Sequence, residues 1–218
     1  MPTVTLRPVA NGSRIELLPY GASENWDCVD EEVADGDATY VYTDQETLKT
    51  DSYQLSDSGL SSNVVINSVT IYHVSKQIGR GYASSRVYFF LHTNGQPYSG
   101  DRYTPTSTYQ TYSQTFTTNP ITGESWTVEE IDALEAGAQM RGMWIDFRNY
   151  AYPYLTQLYV VVDYSLPSVT HKHARRGADI LIRPHAIVLI KRNGNIVGYR
   201  KPHPPFSPER PIQPEVAL

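Results

Sequence analysis

The strongest constraint on this chain is a hydrophobic period of two. In residues 64–74, Val69, Ile71 and His73 alternate with Ser68, Thr70 and Tyr72. In 86–92, Val87, Phe89 and Leu91 alternate with Arg86, Tyr88 and Phe90. In 156–164, Leu158, Val160, Val162 and Tyr164 alternate with Gln157, Tyr159, Val161 and Asp163. Successive side chains of a strand point to opposite faces, so such runs build half-buried sheets and not helices. Tyr40–Thr43 and residues 108–117 add aromatic and β-branched runs, and shorter strands are expected at Val4–Val9 and Ile15–Leu18. Asn11-Gly12, Asp35-Gly36, Asn94-Gly95, Ser99-Gly100-Asp101 and Asn119-Pro120 read as turns between them. Many short strands punctuated in this way predict an all-β, antiparallel sandwich.

One helix is expected. Thr127 with Glu130 three residues later forms a capping box, and Val128, Ile131 and Leu134 share one face. Gly137 and Gly142 stop its continuation, and 138–147 returns to strand.

Charge divides the 218 residues in two. Residues 1–166 hold 9 Lys/Arg and 20 Asp/Glu, a net of −11, whereas 167–218 hold 9 and 3, a net of +6. Eight of the 15 prolines also fall in the second part, so an acidic body is followed by a basic, Pro-rich C-terminal extension. The expected domains are therefore a sandwich over 1–166 and an extension over 167–218. Within the extension, Ile180–Ile182, Ile187–Ile190 and the Asn193-Gly194 signal predict a hairpin at about 179–200. Residues 202–218 are too proline-dense for helix or central strand and are expected to run extended. Arg175, Arg176, Arg183, Lys191, Arg192, Arg200 and Lys201 supply the charge of this assembly arm, and Phe206 and Ile212 its apolar anchors. The first candidate partner is the acidic body of a neighbouring copy; a solvated tail is the plainer alternative.

Composition narrows the function classes. An overall charge of −5 gives no global basic footprint for nucleic acid. No apolar run reaches the roughly 18–20 residues of a membrane span, so no membrane insertion is expected. No secretory leader is expected from Met1-Pro2-Thr3-Val4-Thr5. The single cysteine, Cys28, excludes an intrachain disulfide and multi-cysteine zinc sites.

Signals for chemistry are sparse. Six acids crowd residues 27–37, and among them Asp30, Asp35 and Asp37 are the candidate ligands for calcium, a cation that takes several oxygen donors. The spacing is not that of an EF-hand loop. His171-x-His173 lacks the further ligands a zinc site needs. Gly79-x-Gly81 lacks the Gly-Lys-Ser/Thr ending of a phosphate loop, and no nucleophile elbow is present. No catalytic residues are assigned, and the chain is expected not to be an enzyme. Tyr40, Tyr42, Tyr72, Tyr88, Tyr109, Tyr112, Tyr152, Tyr154 and Tyr159 suit a sugar-stacking face, a subunit interface or plain sheet packing.

The run Asn119-Pro120-Ile121-Thr122-Gly123-Glu124-Ser125-Trp126-Thr127, continuing into Ile131-Asp132-Ala133-Leu134, resembles a pattern in tailed-phage and prophage virion structural proteins. Thr5-Leu6-Arg7-Pro8, Trp26 with Val29-Asp30-Glu31, Asp35-Gly36, Thr39-Tyr40-Val41 and Val162-Asp163-Tyr164 match further parts of it, whereas Asp27-Cys28 departs from it. The resemblance spans about residues 3–164 and implies a jelly-roll-like sandwich borne on a virion or other extracellular assembly. Taken together with the charge division, it leads to the expectation of a capsid-decoration or tail-associated protein, assembled in the host cytoplasm, whose partners are other copies of itself and other virion proteins. Two alternatives stay open: a carbohydrate-binding module of a phage fibre, with host surface glycan as partner, and a hydrolase on the same fold.

Overall fold

The computed structural model describes residues 1–167 together with 188–189 and 198–199. The chain divides into two compact units, Met1–Ser168 and Val169–Leu218. In the first, twelve strands and one helix follow in order: β1 (Thr3–Leu6), β2 (Pro8–Ile15), β3 (Leu18–Tyr20), β4 (Tyr40–Tyr42), β5 (Lys49–Leu55), β6 (Val65–Arg80), β7 (Arg86–Thr93), β8 (Gln96–Tyr103), β9 (Gln110–Phe116), α1 (Val128–Asp132), β10 (Glu135–Arg141), β11 (Met143–Asp146) and β12 (Asn149–Ser165). In the second, β13 (Val188–Leu189) pairs antiparallel with β14 (Gly198–Tyr199). The rest of the expected hairpin lies outside the described residues.

The strands form two antiparallel sheets. One runs β2-β5-β10-β7-β8. The other has seven strands, along the path β3-β4-β12-β6-β9, with β1 and β11 also on β12. From β4 onward the chain passes repeatedly from one sheet to the other: β5, the β7–β8 pair and β10 lie in the first, and β6, β9 and β11–β12 in the second. This winding around a shared core makes a jelly-roll-like β-sandwich, as the alternation and the resemblance led us to expect.

β12 is the spine of the seven-stranded sheet. β6 pairs with it from Tyr150 to Ser165 on one edge. The other edge is shared in turn by β11 at Asn149–Ala151, β4 at Tyr154–Leu155 and β1 at Val160–Asp163. The core lies between the sheets: Leu155, Leu158, Val160 and Val162 of β12 and Val69 and Ile71 of β6 face Val87, Leu91, Ala136, Ala138 and Met140. Each such buried aliphatic side chain larger than alanine contributes roughly 1.5–3 kcal/mol of hydrophobic stabilisation. Helix α1 begins where the capping box predicts: Thr127 Oγ1 accepts from Glu130 N at 3.2 Å, and Glu130 Oε2 accepts from Thr127 N at 3.0 Å. Val128 and Ile131 are buried under it.

Three expectations are corrected. Asn11-Gly12 is not a reverse turn but lies inside β2, where a side chain on Gly12 would meet Glu135 and Ser52 atoms at 2.6–2.7 Å. The glycine serves close approach. Ser99-Gly100-Asp101 lies within β8, and the turn preceding it is Asn94-Gly95 alone, with φ of 53° and 70°. Both central residues have positive φ, as a type I′ hairpin turn requires. β12 begins at Asn149 instead of near 156; Pro153 is accommodated between the β11 and β4 ladders, where that edge has no partner.

Candidate functional site

The outward face of the seven-stranded sheet is aromatic. Register decides this. Tyr154 stands opposite Tyr42 on β4, Tyr20 on β3 opposite Tyr40, and Leu155, opposite Val41, turns inward. Tyr150, Tyr152 and Tyr154 alternate with buried Ala151, Pro153 and Leu155 on β12. Tyr40 is sandwiched between Tyr20 at 4.7 Å and Tyr154 at 4.3 Å, the rings within 15° of parallel. Tyr42 approaches Tyr154 at 5.6 Å, Tyr150 lies 5.4 Å from Tyr152, and Trp144 stacks on Tyr150 at 5.6 Å. Both faces of Tyr40 are therefore covered and the residue is 9% exposed, while Tyr20 is 52% and Trp144 48% exposed. Tyr40 is scaffold; Tyr20, Tyr42, Tyr152 and Trp144 offer ring surface and hydroxyl or N–H groups to solvent. Burial, and then the neighbouring tyrosines and the Asp37 carboxylate, hold the hydroxyls of Tyr40 and Tyr154 above the usual phenol range, so both stay neutral.

Polar groups border the rings. Lys76 of β6 lies opposite Tyr154, with its ammonium 2.5 Å from Asp37 Oδ1, 4.6 Å from the Tyr109 ring centre and 5.9 Å from that of Tyr154. Tyr109 donates to Asp37 Oδ1 or to the Gly36 carbonyl, each at 3.0 Å. The hydrogen bond from Lys76 holds Asp37 below the usual carboxylate range. Farther along β12, Tyr159 stacks on Tyr72 at 4.7 Å, and the Arg7 guanidinium lies 5.4 Å from the Tyr159 ring centre.

The acidic loop does not assemble the metal set expected of it. Asp37 is committed to Lys76 and Tyr109. Asp35 contacts the Thr39 hydroxyl at 2.8 Å and that of Thr156 at 2.9 Å. Asp30 is pushed up by burial and by Asp27. Among the described residues no three His, Cys, Asp or Glu side chains converge as metal ligands, so the calcium assignment to Asp30, Asp35 and Asp37 is not carried further. Glu31 Oε1 shares the Thr39 hydroxyl at 2.5 Å, and its Oε2 is buried without a partner among the described residues. Burial first, with Asp35 and Asp30 adding to it, raises its carboxyl.

Of the tyrosines singled out from sequence, Tyr112 packs inward on Tyr103 at 4.0 Å and belongs to the core network. Tyr88 stands on the five-stranded sheet. Sequence reasoning missed Tyr20, Tyr150 and Trp144. The run Tyr150-x-Tyr152-x-Tyr154 carried the signal, a period of two in aromatics that the intervening proline obscured. Arg175, Arg176, Arg183, Lys191, Arg192, Arg200, Lys201, Phe206 and Ile212 lie outside the described residues.

No family model and no curated protein matches the chain. Among solved structures, one similar chain is the carbohydrate-binding module TmCBM61, determined in complex with β-1,4-galactotriose. It has a TM-score of 0.34 and 9% sequence identity over 73% of this chain and 87% of that one.

Proposed function

We propose that this chain is a non-enzymatic carbohydrate-binding protein whose ligand lies across the outward face of the seven-stranded sheet. The observation that carries this reading is the tyrosine array: the Tyr20–Tyr40–Tyr154 stack, continued by Tyr42, Tyr152 and Tyr150. A sugar ring has one C–H-rich face and a rim of hydroxyls. Neutral phenol rings supply an apolar surface and a polar tip side by side, which matches both. Lys76 is already neutralised by Asp37, so that pair offers hydrogen bonds with no net charge. Three residues separated by two along β12 span about 13 Å at the strand rise, enough for more than one sugar unit. Titration calorimetry against a panel of neutral oligosaccharides is the test. Tyr20→Ala and Tyr152→Ala are expected to weaken binding at least tenfold with the far-ultraviolet dichroism unchanged; binding that is indifferent to both overturns the assignment.

A second reading, compatible with the first, is favoured by the charge division at residue 166. We infer that the chain is carried on a phage-like particle, with the basic 167–218 segment joining it to copies of itself or to other virion proteins, as capsid decoration or a tail-associated part. Charge complementarity between a −11 body and a +6 segment supports this. Truncation after Leu166 is expected to abolish particle association and its salt dependence. If the shortened chain assembles with unchanged stoichiometry and salt resistance, the attachment role is wrong.

A further inference from the structure

Two turns meet at one end of the sandwich. The β6–β7 turn carries Tyr82, and the β11–β12 turn carries Phe147 beside Ile145 of β11. The turns are joined where Tyr82 N donates to Asn149 Oδ1 at 3.4 Å, next to the Arg80–Tyr150 register pair. Tyr82 is 75%, Phe147 67% and Ile145 47% exposed, so large apolar groups are gathered here against water. Groupings of this kind mark interaction sites on soluble proteins.

The charges around them are unusual. Four of the nine cations of residues 1–166 sit at this end: Arg80, Arg86, Arg141 and Arg148. None forms an ion pair among the described residues. Arg148 instead lies 5.0 Å from the Phe147 ring centre, and Arg86 stands directly opposite Arg141 in the ladder, a like-charge pair that is unfavourable by itself. Three carboxylates share the same end without pairing to these cations. Asp44 accepts from Gln45 Nε2 at 2.6 Å, Glu46 from Trp144 N at 2.9 Å, and Asp146 from Arg148 N at 2.7 Å.

We propose that this end of the sandwich is an interface for a second copy of the same chain, formed tip to tip about a two-fold axis. Such a contact is self-complementary: the same patch serves both partners, so each copy's arginines, which have no ion pair among the described residues, meet the other's carboxylates around a shared apolar centre. The three carboxylates are what select this occupant. An anionic lipid surface satisfies the arginines but repels Asp44, Glu46 and Asp146, whereas a second copy satisfies both signs at once.

Sedimentation velocity of the full chain over a concentration series tests the proposal. The chain is expected to dimerise reversibly, and Tyr82→Ser combined with Phe147→Ser is expected to raise the dimer dissociation constant at least tenfold. Both residues are mostly exposed, so the fold does not rest on them. Two charge variants make the test specific. Arg80→Glu/Arg148→Glu and Asp44→Lys/Glu46→Lys are each expected to be monomeric alone and to form a heterodimer when mixed. A wild-type chain that stays monomeric throughout overturns the proposal. So does association that ignores all of these variants, or a mixture that recovers no dimer. Monomeric protein that co-sediments with phosphatidylglycerol vesicles, but not with phosphatidylcholine ones, replaces the second copy by a membrane.

Discussion

His73 shows how a titratable residue on the apolar face of a period-two strand becomes structure. It sits on the inward face of β6, fully buried, with Nε2 3.2 Å from the Gly137 carbonyl and Nδ1 3.0 Å from the Tyr103 hydroxyl. A carbonyl only accepts, so Nε2 carries the proton and Nδ1 accepts from Tyr103, which in turn is 3.1 Å from Ser75 Oγ. Both nitrogens are satisfied with the ring neutral, and burial lowers its pKa to about 3. The folded value lies below the unfolded value of 6.5. Between these limits the unfolded chain binds a proton that the native chain refuses. Stability is therefore complete above pH 6.5 and falls on acidification, by up to about 1.4 kcal/mol per pH unit from this group. Urea unfolding at pH 7 and pH 5 is expected to show that loss in the natural protein. His73→Phe should be less stable at pH 7 but have a visibly shallower pH dependence. Gly137 belongs to the same arrangement: any side chain there runs into the Asp51 carbonyl, so the residue is fixed by strand approach and not by helix termination, the role its sequence context suggests.

At the scale of elements, local signals were legible where local physics decides the outcome. The Thr127/Glu130 pair announced α1 because a capping box is satisfied within four residues. Thr127→Ala is expected to cost about 1 kcal/mol, measured as a shift of the denaturation midpoint with unchanged m-value. Asn94-Gly95 was legible for the same reason, since its positive φ values are those only a short list of residues adopts easily. Asn11-Gly12 carried the same dipeptide and misled, because its glycine is required by Ser52 and Glu135, 40 and 123 residues away. β5 escaped notice too. Its Thr50-Asp51-Ser52 is buried polar sequence, made tolerable by Asn25 Nδ2 and the Leu17 amide, which donate to Asp51 at 2.6 and 2.8 Å. Period-two runs fix which face is apolar but not which strand lies alongside, so individual tyrosines were visible in sequence while the stack they form across β3, β4 and β12 was not.

At the scale of the whole molecule, the sites rest on pairing between distant parts of the chain. The tyrosine array joins residues 20, 40–42 and 150–154, and the apolar tip joins residue 82 to 145–147. Substitutions in β12 are thus expected to disturb the proposed sugar binding through alignment as well as through contact. The order of synthesis then matters. β1 leaves the ribosome before the other strands of this sheet, yet its partner residues, Val160–Asp163, come 154 to 160 positions later, and β3, β4, β6 and β11 wait on the same strand or its neighbours. Until β12 emerges, β1 and most of this sheet have an unpaired edge open to whatever β-forming chain is near. Nascent chains stalled so that only residues up to about 145 are outside the exit tunnel are expected to be protease-sensitive. Those stalled with residue 165 outside should become resistant in one step. Folding of a chain that must wait for β12 is thus expected to depend on chaperone supply and translation pace during synthesis, and not only on the stability of the finished fold.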